Sequence, residues 1–405
     1  MPYRRWLWTL HLCLAVLTSA AALDDEEAPD CETANGGLLP KFPIALPPVH
    51  VPPPGFGGLD NAPAPELENR AAPEPRCGPN FGPCKGGYCC SASGYCGNSR
   101  PYCQAPDCLI DYGSGCDALT TPAGESTLNV ARDRIGQIPY AYEPIFNCKV
   151  PKTVALTYDD GPNIYTSDLL DMLDSFNAKA TFFVTGINSN KGSIDDPNLP
   201  WRSLINRMLH SNHQIASHTW AHQDLDALSA AQRLSQMVKN EMALRNIFGG
   251  FPTYMRPPYS RCSEQSGCVR DMNDLGYHVA YFDVDTDDYN NDSPDLIQRS
   301  KDNFDNAIAS AKPYGGPLLV IAHDVHEQTV YNLTPHMLQG IYAAGYKAVT
   351  LGECLGDGPE NWYRWAYSKG FQDPLEKSSR KATPQNNETN LARRLSRGAI
   401  HPSRL

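Results

Sequence analysis

The chain has 405 residues, 34 Lys+Arg against 45 Asp+Glu, and a formal net charge of −11. That length suits about two or three domains, and the acidic balance lacks the basic footprint of a nucleic-acid binder. Charged residues are 20% of the chain, too balanced a composition for wholesale disorder, and past the N-terminus no apolar stretch reaches the ~18 residues of a membrane span.

Arg4 and Arg5 precede an apolar run over 6–17, then Ser19, Ala20, Ala21, Ala22 and an acidic stretch over 24–27. A charged start, a short apolar run and small residues form a secretory leader, expected over 1–22. Residues 23–76 are rich in Pro and acidic side chains and read as a polyproline-like spacer. Eight of the 14 Cys fall between Cys77 and Cys116. Such density means an oxidising compartment or metal. Residues 117–136 are small and polar and read as a linker. A globular pattern covers 137–368. The tail, 369–405, is basic and almost free of aromatics, a solvated segment without the hydrophobic end of a lipid-anchor signal.

Within 137–368 short apolar runs alternate with helical patterns. Strands are expected over 154–158, 180–184, 214–217, 279–282 and 318–322. Helices are expected over 167–176, 201–209, 230–248 and 294–311. This alternation implies an α/β fold with a parallel sheet, a barrel by its length, and functional residues just past strand C-termini.

Five segments carry chemistry. In Thr157-Tyr158-Asp159-Asp160-Gly161-Pro162 two adjacent carboxylates end a strand. Like charges held together need a cation or a shared proton; alone, the segment is as readily an Asp-containing turn. In Ser217-His218-Thr219-Trp220-Ala221-His222 the histidines are four apart. On a helical turn that spacing places both on one face, suited to zinc, and with one Asp they leave an open coordination position. His210 and His213, nearby, read as surface residues. In Met255-Arg256-Pro257-Pro258-Tyr259 two prolines fix the backbone, and Arg256 is suited to a bidentate carboxylate contact. The acidic run Asp283-Val284-Asp285-Thr286-Asp287-Asp288-Tyr289 lacks the Gly and distal Glu of an EF-hand loop. Finally, the buried strand over 318–322 leads into His323, placed as an acid or base.

Together, in this order, the segments resemble the polysaccharide deacetylases, carbohydrate esterase family 4. They look most like the fungal chitin deacetylases, including Gly136-Gln137-Ile138-Pro139-Tyr140 and Gly352-Glu353-Cys354-Leu355-Gly356-Asp357. The resemblance implies a distorted (β/α) barrel. It implies that Asp160, His218 and His222 bind a divalent metal, Zn2+ or alternatively Co2+. Asp159 would be the general base, held by Arg256, and His323 the general acid, oriented and charged by Asp285. The Tyr259 amide would support the oxyanion, Leu319 would line the acetyl-methyl pocket, and Tyr289 would replace the family's usual tryptophan as an aromatic wall.

The Cys-rich module over 77–116 is too short for an ordinary core and needs staples. Its run Cys89-Cys90-Ser91-Ala92-Ser93-Gly94-Tyr95-Cys96-Gly97, with Tyr102-Cys103 beyond, resembles a hevein-type chitin-binding domain. That resemblance implies the pairs Cys77–Cys90, Cys84–Cys96, Cys89–Cys103 and Cys108–Cys116, with Ser91, Tyr95 and Tyr102 contacting sugar. Ser93 stands where strong binders carry an aromatic.

In the larger domain Cys262 and Cys268 are close enough to pair. Cys148 and Cys354 flank the strand series, and a bridge between them resembles one in related enzymes. Cys31 is left over, free or bridging two chains; otherwise a monomer is expected. Asn291, Asn332 and Asn387 sit in glycosylation sequons. The whole implies a secreted enzyme, free or cell-wall associated, that deacetylates chitin and chito-oligosaccharides to chitosan, with no nucleic-acid or membrane partner. The competing readings are the same chemistry on peptidoglycan or xylan, and a non-catalytic chitin-binding protein.

Overall fold

The computed structural model describes residues 75–366. The expected leader, Cys31 and nearly all of the spacer, Asn387 and the expected tail lie outside the described residues.

The Cys-rich module holds a two-residue antiparallel pair, β1 (Cys89–Cys90) and β2 (Cys96–Gly97), and one helical turn, α1 (Arg100–Cys103). Disulfides join Cys77 to Cys90, Cys84 to Cys96, Cys89 to Cys103 and Cys108 to Cys116. Its interior is mostly sulfur, the buried Cys77, Cys89, Cys90, Cys96, Cys108 and Cys116.

The larger domain follows in chain order: β3 (Thr153–Asp159), α2 (Thr166–Ser175), β4 (Thr181–Val184), α3 (Trp201–His210), β5 (Gln214–Ser217), α4 (Ala230–Phe248), β6 (Gly250–Pro252), β7 (Tyr254–Met255), α5 (Cys268–Asp274), β8 (His278–Val279), β9 (Val284–Asp285), α6 (Ile297–Ala311), β10 (Leu318–His323), α7 (Thr334–Ala343), β11 (Lys347–Val349), α8 (Leu351–Leu355) and β12 (Tyr363–Trp365). The main sheet is parallel, in the order β8-β7-β5-β4-β3-β10-β9. β10 runs along one edge of β3; β4 and β11 divide the other, β4 at Thr157, Tyr158 and Asp159 and β11 at Thr153, Val154 and Ala155. No pairing joins β8 to β9 among the described residues, so the barrel stays open as a curled half-barrel.

Every residue of β3 is buried, as befits a strand in a parallel sheet covered on both faces. Helices supply the cover. On α6, Ile297, Ser300, Phe304 and Ile308 form one buried stripe at helical spacing, and each large apolar side chain there contributes roughly 1.5–3 kcal/mol by leaving water. A Ser229–Gln232 capping box opens α4, and Gly249, at φ 85°, closes it in the left-handed conformation that favours glycine.

The broad alternation expected from the sequence is present, with local differences. The strand expected over 279–282 is broken, because Tyr281 and Phe282 leave the sheet between β8 and β9. Residues 117–136 are no free linker. They strap across α4: Ala118 and Thr127 are buried, and Arg132 grips the buried Glu241 through two hydrogen bonds of 2.6 and 2.8 Å. His210 is exposed, but His213 is buried and its Nδ1 accepts a hydrogen bond from the Ala180 amide. Asn291 is also buried, its amide nitrogen donating to the Asp287 carbonyl, whereas Asn332 is exposed. Cys148–Cys354 and Cys262–Cys268 complete the disulfides of the described residues. No described helix is long and apolar enough to cross a membrane.

Candidate active site

Register brings the expected chemistry to one rim. Asp159 pairs with His323 across β3 and β10, Ser217 with Met255 across β5 and β7. Asp160, His218 and Arg256 each follow directly on the last residue of a strand, so the side chains that leave the sheet meet at its C-terminal edge.

Asp160, His218 and His222 present ligand atoms that all lie within 4.8 Å of one another. Asp160 Oδ1 is 3.2 Å from His222 Nε2 and 3.8 Å from His218 Nε2. The two histidines sit on no helical turn. They lie on a loop in which Thr219 and His222 take φ of 69° and 53°, and that looped backbone, not helical spacing, converges the rings. His218 Nδ1 is 2.7 Å from the Arg256 carbonyl. A carbonyl only accepts, so Nδ1 carries the hydrogen and the neutral ring turns the Nε2 lone pair toward Asp160. Burial lowers the His218 pKa to about 4, which keeps that ring neutral. Burial alone would raise Asp160, but His222, His218, His323 and Lys191 hold it well below the usual carboxylate range. One carboxylate and two imidazoles, with room for further ligands, fit a divalent cation.

Asp160 is itself supported. Asn188 Nδ2 donates to its Oδ1 at 3.3 Å, and the buried Lys191 ammonium donates to its carbonyl, to that of Gly161 and to Thr185 Oγ1. Gly161 must lack a side chain: a Cβ there would lie 2.2 Å from the carboxylate oxygens of Asp324.

Asp159 is buried, and its Oδ1 accepts from Arg256 Nη1 at 2.7 Å. The other donors of Arg256 reach Thr157 Oγ1 and the carbonyls of Ala280 and Tyr281, and its guanidinium lies 4.1 Å above the Phe183 ring. Asp159 therefore has one fixed carboxylate oxygen, and its Oδ2 stands 3.7 Å from His218 Nε2.

His323 differs from the expectation in its partner. Asp288, fully buried, accepts from its Nδ1 at 2.8 Å and from its backbone N–H at 2.7 Å. The expected partner, Asp285, is exposed; it accepts from the Asp287 amide and from Tyr289 OH instead. The reason is strand geometry: Asp285 is paired in β9, while the turn after it carries Asp288 back under His323. Burial disfavours the imidazolium, but Asp288 first, then Asp160 and Asp159, outweigh it and push His323 up to about 10. The Tyr289 ring lies edge-on to His323 at 5.4 Å, and the Tyr259 ring edge-on to His222 at 4.6 Å.

Leu319 is also displaced from its expected role. It is fully buried in the core, four residues before His323 and thus about 13 Å back along the strand. Ile321, two before His323, shares its face of β10 and is the apolar side chain near the rim. Asp288 stood in the acidic segment singled out by sequence, but four aspartates in seven residues offered no means of choosing. Asn188 and Lys191 gave no signal.

Elsewhere on the module, Ser91 Oγ accepts from the Tyr95 amide at 3.3 Å, and Tyr102 packs over Gly97, where a Cβ would meet its ring at 2.4 Å. The Arg76 guanidinium stacks on both Phe81 and Tyr95, 4.6 and 4.5 Å from the ring centres, so one face of Tyr95 is occupied by a cation.

The polysaccharide deacetylase model matches residues 147–280. A chitin deacetylase of Colletotrichum lindemuthianum is 44% identical over 247 residues, 61% of this chain and 96% of that protein. A chitin deacetylase of Pestalotiopsis sp is 45% identical over 242 residues, 60% of this chain and 76% of that one. The solved structure of the Colletotrichum lindemuthianum enzyme superposes with a TM-score of 0.53 at 42% identity, covering 58% of this chain and all of that one. The chain belongs to the polysaccharide deacetylase family.

Proposed function

We propose that the chain is a secreted, metal-dependent chitin deacetylase that hydrolyses the N-acetyl groups of N-acetylglucosamine units, giving chitosan and acetate. The observation that carries this reading is the convergence on one strand rim of three arrangements: Asp160 with His218 and His222, Asp159 on Arg256, and His323 on Asp288. The likeness to two chitin deacetylases over most of their length supports the substrate.

An amide is a poor electrophile with a poor leaving group. A zinc ion held by Asp160, His218 and His222 would supply Lewis-acid polarisation of the carbonyl and acidify a water. Asp159, its other oxygen fixed by Arg256, takes the proton of the attacking water through Oδ2. The Tyr259 backbone N–H steadies the developing oxyanion. His323, charged by Asp288, gives its proton to the departing amine. Ile321 borders the acetyl methyl group, and Tyr289 stacks against sugar.

Beside this rim a groove of about 540 Å³ is lined by Tyr142, Phe146, Ser260, Tyr281 and Phe282. Arg256 ties it to the site by its bond to the Tyr281 carbonyl, and Phe146 stacks on Tyr281 at 4.9 Å. Those ring faces suit neighbouring sugars of a polymer. The Cys-rich module, read as hevein-like, would hold the enzyme on insoluble chitin through Ser91, Tyr95 and Tyr102 and raise the local substrate concentration.

Acetate release from N-acetylglucosamine oligomers by the purified protein, with and without a chelator and beside Asp159→Asn, tests the reading. Chelator-sensitive release that Asp159→Asn abolishes is expected. Folded, zinc-supplied protein that releases no acetate from any chito-oligomer would overturn it, and acetylated peptidoglycan and xylan would be tried next.

A further inference from the structure

The Cys-rich module contacts the larger domain beside the carboxylate–histidine cluster. Ala105 is 2% exposed, and it and Ala118 belong to the same apolar cluster as the barrel core, with Ile110 packed against it. The Ser189 amide donates to the Ala105 carbonyl at 3.2 Å, and Gln223 Nε2 donates to the Pro106 carbonyl at 2.8 Å. Farther out, Gln232 Nε2 donates to Asp111 Oδ1 at 2.6 Å.

Two of these contacts fall on neighbours of the cluster. Gln223 directly follows His222. Ser189 and Asn190 stand between Asn188, which donates to Asp160 Oδ1, and Lys191, which donates to the Asp160 carbonyl. Both take left-handed backbone, at φ 45° and 56°. Two successive non-glycine residues in that region are strained and persist where surrounding structure fixes them. The bond to Ala105 is such a restraint, and Arg100 Nη2 adds a longer one, 3.5 Å to the Asn190 carbonyl.

We infer that Ala105 and Pro106 of the Cys-rich module are positioning residues for the metal-ligand cluster, holding the 188–191 turn and the residue after His222 so that Asp160 and His222 stay in place. The module is then a brace of the catalytic site besides any part it plays in holding chitin. This rests on the metal-dependent reading above. It departs from a tethered binding module in one consequence: undocking should impair the enzyme on small soluble substrates, where chitin anchoring is irrelevant.

Two full-length variants test it. Ala105→Glu forces a charge into the buried contact. Gln223→Ala with Asp111→Ala removes docking hydrogen bonds without entering either core, which serves if Ala105→Glu fails to fold. Four quantities are read: zinc affinity by chelator competition, amide hydrogen exchange at Ser189, and kcat and KM on soluble chitotetraose. Faster Ser189 exchange, about 10-fold weaker zinc binding and a comparable fall in kcat with KM little changed are expected. Faster exchange with zinc affinity and kcat within twofold of the parent overturns the inference, as does unchanged exchange in both variants. A parent protein that neither binds zinc nor releases acetate refutes the functional reading instead, and Ser189 exchange still decides whether the module holds the turn.

Discussion

Asp288 accepts two hydrogen bonds from one residue, from the His323 ring at 2.8 Å and from its backbone at 2.7 Å, while Thr329 Oγ1 donates to it at 2.7 Å. The carboxylate is fully buried, so its charge acts on the imidazole with little screening from water.

This pairing predicts a pH profile. His323 must be protonated to serve as the acid, and its surroundings push it up to about 10 from an ordinary 6.5. A cation bound at Asp160 would offset part of that pull and lower the value. Activity should fall as pH rises through it. Asp288→Asn removes the dominant stabilising charge; kcat should drop about 10²–10⁴-fold and the alkaline limb should move to lower pH. Asp285→Asn should leave that limb in place. A limb that follows Asp285 and ignores Asp288 would refute the assignment. Stability carries the same sign: the folded pKa exceeds the unfolded one, so the contribution is full below about 6.5 and is lost as pH rises toward about 10.

Arg256→Lys is the second test. Four bonds from one planar fork hold Asp159, Thr157, Ala280 and Tyr281, and a single ammonium cannot span them. Each buried acceptor left alone costs about 1–3 kcal/mol. A lower thermal midpoint is expected, with kcat reduced at least 10-fold because Asp159 loses its fixed orientation. Retention of kcat within twofold would show that Asp159 needs no such anchor.

The sequence carried the rim, and the structure supplied its wiring. Strand–helix alternation and the ends of strands were legible because burial imprints apolar runs and helical stripes on the chain, and α4 and β5 fall where the pattern placed them. What pattern cannot carry is the path of a turn. Asp285 and Asp288 are equivalent as letters, and only the backbone after β9 decides which reaches His323. Leu319 and Ile321 share a strand face, and only the count back from His323 at the strand end tells which lies nearer the rim. The strap over α4 was hidden because polar ties hold it, which leave no apolar pattern: Arg132 pairs with Glu241, and Lys239 donates to the Ala118 carbonyl.

A third prediction concerns the two disulfides of the larger domain. Cys148–Cys354 joins residues 206 apart, Cys262–Cys268 residues 6 apart. If loop closure in the unfolded chain governs their effect, replacing the first pair with serines costs ~5 kcal/mol and the second ~2 kcal/mol. Chemical denaturation at neutral pH measures both. Equal losses, or a larger loss at Cys262–Cys268, would locate their effect in native packing instead.

A fourth concerns acid stability. His213 is buried, its ring set edge-on to Phe182 at 5.5 Å, and its Nδ1 accepts from the Ala180 amide at 3.1 Å. An accepting nitrogen bears no proton, so charging the ring must break that bond, and burial pushes its pKa down to about 4. The folded value lies below the unfolded 6.5, so the unfolded chain binds more protons between them. The contribution, on the order of 3 kcal/mol, is therefore present above about 6.5 and lost as pH falls toward about 4. His218 and His278 are lowered by burial as well and act in the same direction, so the quantity to read is a difference. His213→Gln keeps an acceptor for the Ala180 amide and removes the titration. Between pH 7 and pH 4.5 this variant should lose less stability than the parent; an identical loss would mean that His213 escapes its pocket before it takes up a proton.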